Sequence, residues 1–414
     1  MFALYNLMEI SWNLLNHRLI MKKSTLYFMF LHFFFISCGE KSAIKESEII
    51  KSVETEIIKI VDIHANTHID ISSLLDTIKY VKLELTEESI IGYIQKITIY
   101  EDRIYILDTQ TSSLFVFDIN GNYLFKIDRR GAGPEEYIQL DFFDIDFRNN
   151  EIMLTDLMGY WVMKYDMDGN FISREKIPFR IEGIAPGFDN GYAVYANYRD
   201  NKTTMKQEYN LIYLDSLMNI TKAYFPYLSM NIRFATPQAS VFYPYNENFH
   251  FFSLYGNNIY KIGKEGLSLL YSFDFGDKSF DISSLEKQLS PQDYVKKKDF
   301  YLIHRVQETD HILSFTLSEP SSIILYQGFY SKETKKLLYP IFYTLDKEVV
   351  LEIPSIAYDS WLITELSIDD LLSWREKIDH TLFKNQFLWN KKILADQLTI
   401  DDNPVLMFYK LKSF

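Results

Sequence analysis

The residues of this chain that are best equipped for chemistry lie together in one loop in its first third. The loop runs from Arg129 to Tyr137 and places charged side chains around a Gly-Ala-Gly-Pro turn. Guanidinium and carboxylate groups on one loop can bind a polar ligand such as a glycan or a peptide. The alternative is that the glycines and the proline only shape a turn and that the tyrosine packs inside the fold. The candidate binding residues here are Arg129, Arg130, Glu135, Glu136 and Tyr137.

Aromatic pairs form the second set of candidates. Tyr160 and Trp161 are adjacent, and Phe242 to Tyr245 carries three aromatic rings. Such rings can form platforms on which sugars stack, although aromatic residues at these positions can equally pack between β-sheets. We therefore add Tyr160 and Trp161 to the candidate ligand-binding residues.

Motifs for metal binding and catalysis are weak or missing. His64 and His68 are four residues apart, but no third ligand accompanies them, which favours a chance spacing. Asp166 to Gly169 is similar to the start of a calcium loop but lacks the later glutamate, so a hairpin explains it better. The signatures of serine hydrolases, zinc proteases and phosphate-binding loops do not occur, and we predict no catalytic residue.

A repeat of about 48 residues indicates the architecture. Each copy has an aromatic strand end, a polar turn and a return strand, which is the pattern of a β-hairpin. Asn-Gly and Asp-Gly pairs supply the turns of the first two copies, whereas the third copy lacks a glycine at this position. The four copies in register are 117–124, 165–172, 213–220 and 260–267, and a fifth follows at 325–338.

The remaining segments fit six repeats with helical insertions. Ser290-Pro291 predicts a helix start ahead of 294–304, and Ser367 predicts a second helix that continues toward Phe383. The strand at 81–85 and the turn and strand at 402–411 can share one sheet, which would close a ring and leave no free edge. The sequence therefore predicts an all-β, six-bladed β-propeller over residues 70–414, closed by its N- and C-terminal strands and carrying two helical insertions.

Two stretches resemble a known family. The Gly-Ala-Gly-Pro-Glu-Glu-Tyr loop is similar to one in the six-bladed, NHL-like β-propeller lipoproteins of Bacteroidetes, and Asn-Pro-Val-Leu-x-x-Tyr-Lys-Leu near the C-terminus resembles their last strand. Glu135 stands where that family usually has glycine, so we expect an ordinary backbone conformation there. The resemblance implies a propeller for which no reaction is assigned in most members.

Six-bladed propellers also include lactonases, other hydrolases and lyases that hold a divalent metal ion with carboxylates of the central channel. Such sites are assembled from several blades and leave no linear motif. The inner strands would offer four aspartates to a channel-bound ion: Asp108, Asp144, Asp146 and Asp156.

The N-terminus resembles a bacterial lipoprotein signal. Lys22-Lys23 precedes an apolar run that is too short to be a permanent membrane span, and Ser37-Cys38 reads as a lipobox. This predicts a signal peptide at 1–37, of which 1–20 would be a misassigned upstream start, and lipidation of Cys38. Residues 38–69 would then be the lipidated cysteine and a polar tether to the membrane.

Composition limits the partners. The net charge of −13 argues against nucleic acid, which requires a basic surface, and the single cysteine allows no disulfide within the chain. The sequence favours a lipid-anchored protein of the cell envelope, periplasmic or on the outer surface, that binds a glycan, a peptide or an envelope protein. A metal-dependent hydrolase, lactonase or lyase is the alternative.

Overall fold

The structure is a computed structural model that describes most of the chain. The described residues are 46–60, 63, 71–198, 205, 207–227, 241–253, 255–280, 300–319, 325–339, 353–377 and 386–414. Strand β1 (Ile50–Lys59) comes first, and a short helix α1 (Ile71–Leu74) leads into β2 (Leu75–Lys82). The candidates Cys38, His64 and His68 lie outside the described residues.

Twenty-three further strands form six sheets together with β1 and β2, and each sheet is one blade. Blade 1 contains β3 (Ile94–Tyr100), β4 (Arg103–Asp108), β5 (Ser113–Asp118) and β6 (Tyr123–Ile127). Blade 2 contains β7 (Phe142–Asp146), β8 (Glu151–Asp156), β9 (Trp161–Asp166) and β10 (Phe171–Lys176). Blade 3 contains β11 (Gly183–Pro186), β12 (Tyr192–Tyr195), β13 (Glu208–Leu214) and β14 (Ile220–Tyr227).

The second half of the chain repeats this arrangement. Blade 4 contains β15 (Phe242–Tyr245), β16 (Asn248–Phe252), β17 (Asn258–Ile262) and β18 (Leu267–Asp274). Blade 5 contains β19 (Leu302–Glu308), β20 (Ile312–Ser318), β21 (Leu325–Ser331) and β22 (Leu337–Leu338). Blade 6 contains β23 (Ile356–Tyr358), β24 (Trp361–Leu366) and β25 (Val405–Leu411), and its outer strand is β2.

The blades form a closed six-bladed β-propeller, as the sequence predicts. The inner strands β3, β7, β11, β15, β19 and β23 contact one another in this order, and β23 returns to β3. Antiparallel pairing of β2 with β25 completes blade 6 from the two ends of the ring. Clusters of buried hydrophobic side chains join neighbouring blades, for example Leu107 of blade 1 with Phe143 of blade 2.

The ring has two chemically different faces. Each blade is an antiparallel meander, so its connections alternate between the two ends of its strands. On the turn face, the first strand joins the second in every blade, and the third joins the fourth in blades 1 to 5, through turns of two to five residues. On the link face, the second strand joins the third, and the outer strand joins the next blade. The connections longer than about ten residues all join strands at their link-face ends: 83–93, 128–141, 196–207, 228–241, 275–301, 339–355 and 367–404.

The turns of the predicted hairpins share one hydrogen-bonding pattern. The carboxylate of Asp118 accepts the backbone N–H groups of Asn120 and Asn122 and the Asn122 side chain. Asp166 holds its turn in the same way. Burial acts to raise the pKa of Asp166, but its hydrogen bonds, with those of Asn170 foremost, together outweigh burial and lower the pKa. This pattern confirms that Asp166 to Gly169 forms a hairpin turn.

The third hairpin corrects the alignment of the repeat by one residue. Asp215 accepts the N–H groups of Leu217 and Asn219 and the Asn219 side chain, so Asp215, not Leu214, corresponds to Asp166. Met218 then occupies the position of Gly121 and Gly169, and like them it has a positive φ, here 62°. A methionine therefore adopts the left-handed conformation that glycine adopts in the other turns.

The helices agree only in part with prediction. Helix α2 (Ile368–Lys377) begins where predicted, and its N-cap Ser367 accepts the backbone N–H of Asp370. Helix α3 (Gln386–Asp396) follows in the same insertion and was not predicted. The predicted helix at 294–304 is wrong at its end, because Leu302 to His304 begin strand β19, and 294–299 lie outside the described residues. None of the described helices is long and apolar enough to cross a membrane.

Part of the predicted tether is folded onto the ring. Strand β1 adds to blade 4 as a fifth strand, parallel to β18, with Ile50 opposite Ser268 and Lys59 opposite Asp274. The Ile58 side chain is buried between blades 4 and 5. The segment therefore contributes to the core as well as connecting the ring to the N-terminus.

We expect Gly121→Ala to destabilise the ring at its seam. Gly121 has φ 91°, and a Cβ atom there would lie 2.2 Å from the carbonyl oxygen of Lys82 in the closing strand β2. The strained φ and the backbone clash together should lower the free energy of unfolding by about 3 kcal/mol, measured by denaturant titration. Gly276→Ala is the matched control, because φ is 54° and no heavy atom lies within 4 Å. Its cost should be about 1 kcal/mol, and equal losses in the two variants would contradict the seam contact.

We expect Met218→Gly to stabilise the protein. Glycine removes the cost of a left-handed conformation, so the free energy of unfolding should rise by up to about 1 kcal/mol in the same titration. Leu217→Gly in the same turn, at a position without positive φ, should lower it because glycine only adds freedom to the unfolded chain. A loss of stability in Met218→Gly would show that the methionine side chain matters more than its backbone.

Candidate functional site

The loop between β6 and β7 is a compact turn on the link face. Neither Gly131 nor Gly133 has a positive φ, and Glu135 has an ordinary backbone conformation, as expected. A Cβ atom at Gly131 would lie 1.9 Å from the Glu136 carboxylate, so a larger residue there would displace that side chain. That carboxylate accepts the Gly133 N–H at 2.8 Å and thereby closes the turn.

The arginines of the loop hold it to its neighbours and stay accessible. The Arg129 guanidinium pairs with Glu135 at 2.7 Å and lies 5.8 Å from the ring centre of Tyr165. Arg130 donates to the carbonyl of Thr111, in the connection between β4 and β5, at 2.5 Å. Arg130 and Glu135 are exposed and Arg129 is half-buried, so these groups can still meet a ligand.

Tyr137 has a positioning role in this structure. Its side chain is 1% exposed and lies in the hydrophobic cluster between blades 1 and 2. The hydroxyl donates to the carbonyl of Ser112 at 2.8 Å and accepts the Arg129 N–H at 3.0 Å. The tyrosine therefore fastens the loop to the connection of blade 1, as the structural alternative describes.

Tyr160 and Trp161 lie at the end of the corresponding connection in blade 2. Tyr160 has φ 58° and is 39% exposed. The Trp161 ring is half-buried, with the Arg174 guanidinium 4.3 Å and the Lys176 ammonium 4.4 Å from it. Two cations thus occupy the surroundings of the indole, and Tyr160 is the more open of the two rings.

Two of the four candidate metal ligands have a different task. Asp108 and Asp156 end the second strands of their blades, not inner strands as expected. Asp108 accepts the N–H of Gly92 from the incoming link, and Asp156 accepts that of Ile138 in the same manner. Each carboxylate also accepts N–H groups of its own turn, for example Gly159 on Asp156. These aspartates therefore hold the backbone of the connections on the link face in place.

The other two aspartates lie on inner strand β7 but do not form one site. Asp144 pairs with Lys96 of β3 at 2.5 Å; burial raises its pKa, and the lysine opposes that effect. Asp146 accepts the Arg148 N–H and the Asn149 side chain at the turn face. The residues that the structure describes contain no group of three or more side chains suited to hold a metal. The four carboxylates are thus separate structural contacts.

Exposed apolar side chains gather on the link face of blades 1 and 2. Met158 is 66% exposed, and it lies in the connection that Asp156 holds beside Ile138. The link that enters blade 1 adds two more, and Gly92 in that link is fastened to Asp108. We call this surface the link-face patch; its residues are Ile90, Tyr93, Ile138, Met158 and Tyr160, with Arg129, Arg130 and Lys176 beside them.

A buried polar cluster between blades 4 and 5 was not predicted from the sequence. Glu308 accepts His250 Nδ1 at 3.0 Å, Tyr243 at 3.1 Å, Tyr271 at 2.8 Å and Lys332 at 2.7 Å. Burial alone raises the pKa of Glu308, but the His250 and Lys332 partners outweigh it and lower that pKa to about 2. The five residues come from five separate strands or turns, so no local pattern joins them.

We expect Glu308→Gln to remove a pH-dependent part of the stability. The folded pKa of about 2 lies below the ordinary 4.5, so the carboxylate stabilises the fold above pH 4.5 and loses this effect as the pH falls toward 2. The variant should lose on the order of 3 kcal/mol at pH 7 and show a flatter pH profile between pH 4.5 and 2 in denaturant titrations. Glu135→Gln removes an exposed ion pair and should change little. An unchanged pH profile in Glu308→Gln would refute this account of the cluster.

Comparison with solved structures supports the architecture. A protein from Bacteroides fragilis named as an exported protein aligns over 86% of this chain and 100% of its own, with a TM-score of 0.71 and 22% identity. A member of the DUF4221 family from Bacteroides vulgatus covers 82% of this chain and 97% of its own, with a TM-score of 0.46 and 11% identity. An inactive virginiamycin B lyase from Staphylococcus aureus covers 66% and 91%, with a TM-score of 0.37 and 10% identity.

The first of these likenesses shows the fold alone, and the last two are too low to carry an argument. No curated protein matches the sequence of this chain. A family model does match, and it extends from residue 55, inside β1, to residue 410, in the last strand, so it includes the whole ring. The chain therefore belongs to the family described as Domain of unknown function (DUF4934).

Proposed function

We propose that this protein is an exported, lipid-anchored propeller of the cell envelope that binds a partner protein or peptide through the link-face patch. The anchor would be the lipid on Cys38, reached through the N-terminal segment. The exported Bacteroides relative of the same fold agrees with an envelope location.

The link-face patch is the observation that carries the proposal. Met158 is 66% and Tyr93 57% exposed, and both lie in connections that buried aspartates hold in place. Apolar side chains with charged groups at their margin are typical of protein interfaces. In the described residues the short turns of the turn face hold one large exposed apolar side chain, Leu217, so the asymmetry favours the link face.

A protein or peptide fits this patch better than a glycan. Sugar stacking requires open aromatic faces, but of the three predicted aromatic candidates Tyr137 is buried and Trp161 has two cations over its ring, which leaves Tyr160. Aliphatic side chains such as Ile138 and Met158 contribute area to a protein interface and offer no hydrogen bonds to a sugar. The metal-dependent hydrolase, lactonase or lyase has less support, because its four carboxylates each hold a separate structural contact.

The partner can be located by photo-crosslinking in the producing cell. A photoreactive amino acid replacing Met158 should give one discrete cross-linked species, identified by mass spectrometry. The same amino acid replacing Ile172 is the matched control, since Ile172 is 48% exposed but lies on outer strand β10. Ile138→Asp should reduce the cross-link at position 158 several-fold, because it places a charge in the apolar contact.

Two results would contradict the proposal. Equal cross-linking at positions 158 and 172, or none at 158, would exclude the link-face patch as the binding surface. A cross-linked mass that glycosidases remove, and that contains no peptides of a second protein in the mass spectrum, would show that the ligand is a glycan.

A further inference from the structure

We propose that one rim of the turn face, formed by the outer turns of blades 3 and 4, rests on the membrane surface. The turns are 215–219 and 263–266, and Leu217 would be the main contact. This inference rests on the proposed lipidation of Cys38 and adds the orientation of the ring to it.

The N-terminal segment joins the ring early and at a defined place. The Ser47 N–H donates to the carbonyl of Ala223 in β14 at 2.7 Å, and the Ala223 N–H donates to the Ser47 hydroxyl at 3.2 Å. Ile49 then packs against the hydrophobic cluster between blades 3 and 4. From Ser47 onward the segment is attached to the ring.

The segment arrives from the turn face. Strand β18 begins directly after the turn 263–266, and β1 runs parallel to it, starting with Ile50 opposite Ser268. The described residues just before Ile50, 46–49, therefore lie beside β14 of blade 3 and the start of β18 in blade 4. The chain proceeds from this rim toward the link face along β1.

The connection between anchor and rim is short. Nine residue steps separate Cys38 from Ser47, and a fully extended chain covers at most about 3.5 Å per residue, which gives about 30 Å. A seven-residue inner strand such as β3 alone spans about 24 Å. The acylated cysteine therefore keeps this rim within about 30 Å of the bilayer, whereas the link face lies at the far ends of the strands, a further strand length of about 24 Å away.

The rim carries an apolar side chain suited to this contact. Leu217 is 80% exposed at the tip of its turn. Lys222 of β14 donates to the carbonyl of Lys264 at 3.0 Å and so ties β14 to the turn 263–266. Glu265 and the segment's Glu46 and Glu48 are exposed as well and offset these lysines, so the contact is apolar more than electrostatic.

Depth-dependent quenching of a fluorophore tests the orientation. Cys38 is the only cysteine and acylation consumes its thiol, so Leu217→Cys supplies a single labelling site in the lipidated, full-length protein. In vesicles with quencher-bearing lipids, the label at position 217 should be quenched several-fold more than the same label in Met158→Cys on the link face. Insertion of about twenty Gly/Ser residues between Glu40 and Glu46 should reduce this difference, because the longer tether frees the ring.

Radiolabelled palmitate separates the two proposals. Protein that incorporates palmitate but shows equal or weaker quenching at position 217 would overturn the orientation and leave the lipid anchor intact. Protein that incorporates no palmitate would overturn the anchor, and the orientation with it. Incorporation lost in Cys38→Ser, together with preferential quenching at 217, supports both.

Discussion

Pairing of β2 with β25 is the contact on which the rest of the structure depends. These strands come from opposite ends of the ring, and their antiparallel ladder unites residues 75–82 with 405–411 in one blade. The seam continues where the Glu84 N–H donates to the carbonyl of Gly121 at 2.8 Å and the Glu84 carboxylate accepts the Tyr123 N–H. The Asn403 side chain adds a third contact, since it donates to the carbonyl of Ser89 and accepts the N–H of Ile91. Each blade is packed between two neighbours, so an open seam would expose apolar surface on both sides of the gap.

Most carboxylates that suggest chemistry are used to hold backbone. Asp108 and Asp156 bind the links of successive blades, and Asp118 and Asp166 shape the hairpin turns. Tyr137 has a similar structural role, because its hydroxyl joins the loop between β6 and β7 to the connection between β4 and β5. The surfaces left for recognition are consequently the exposed parts of the links, where the ring does not fix the side chains. Short turns on one face and long links on the other make the two faces different, and this difference is the basis of the proposed recognition side and membrane side.

The features of this protein that could be predicted from the sequence are those that depend on neighbours along the chain. The hairpins repeat because each needs a turn residue tolerant of positive φ between two aromatic strands, and this pattern is local. The one-residue shift at Asp215 was not predicted, because Met218 adopts the positive φ at a position where the repeat predicts glycine. The predicted helix also extended into β19, since the helix signals at Ser290 say nothing about where the next inner strand begins. Of the candidate site, the loop and Tyr160 were predicted but not Ile138 or Met158, whose exposure depends on the ring.

The sequence by itself therefore determined the repeat, the number of blades and the closure of the ring. Only the tertiary structure decided which polar groups are engaged and which surfaces remain open. Glu308 shows the reason: its partners Tyr243, His250, Tyr271 and Lys332 lie 24 to 65 residues away along the chain and meet only because blades 4 and 5 pack together. Burial and charge pairing are properties of that packing, so no linear pattern can encode them, whereas strand alternation and turn chemistry are set residue by residue.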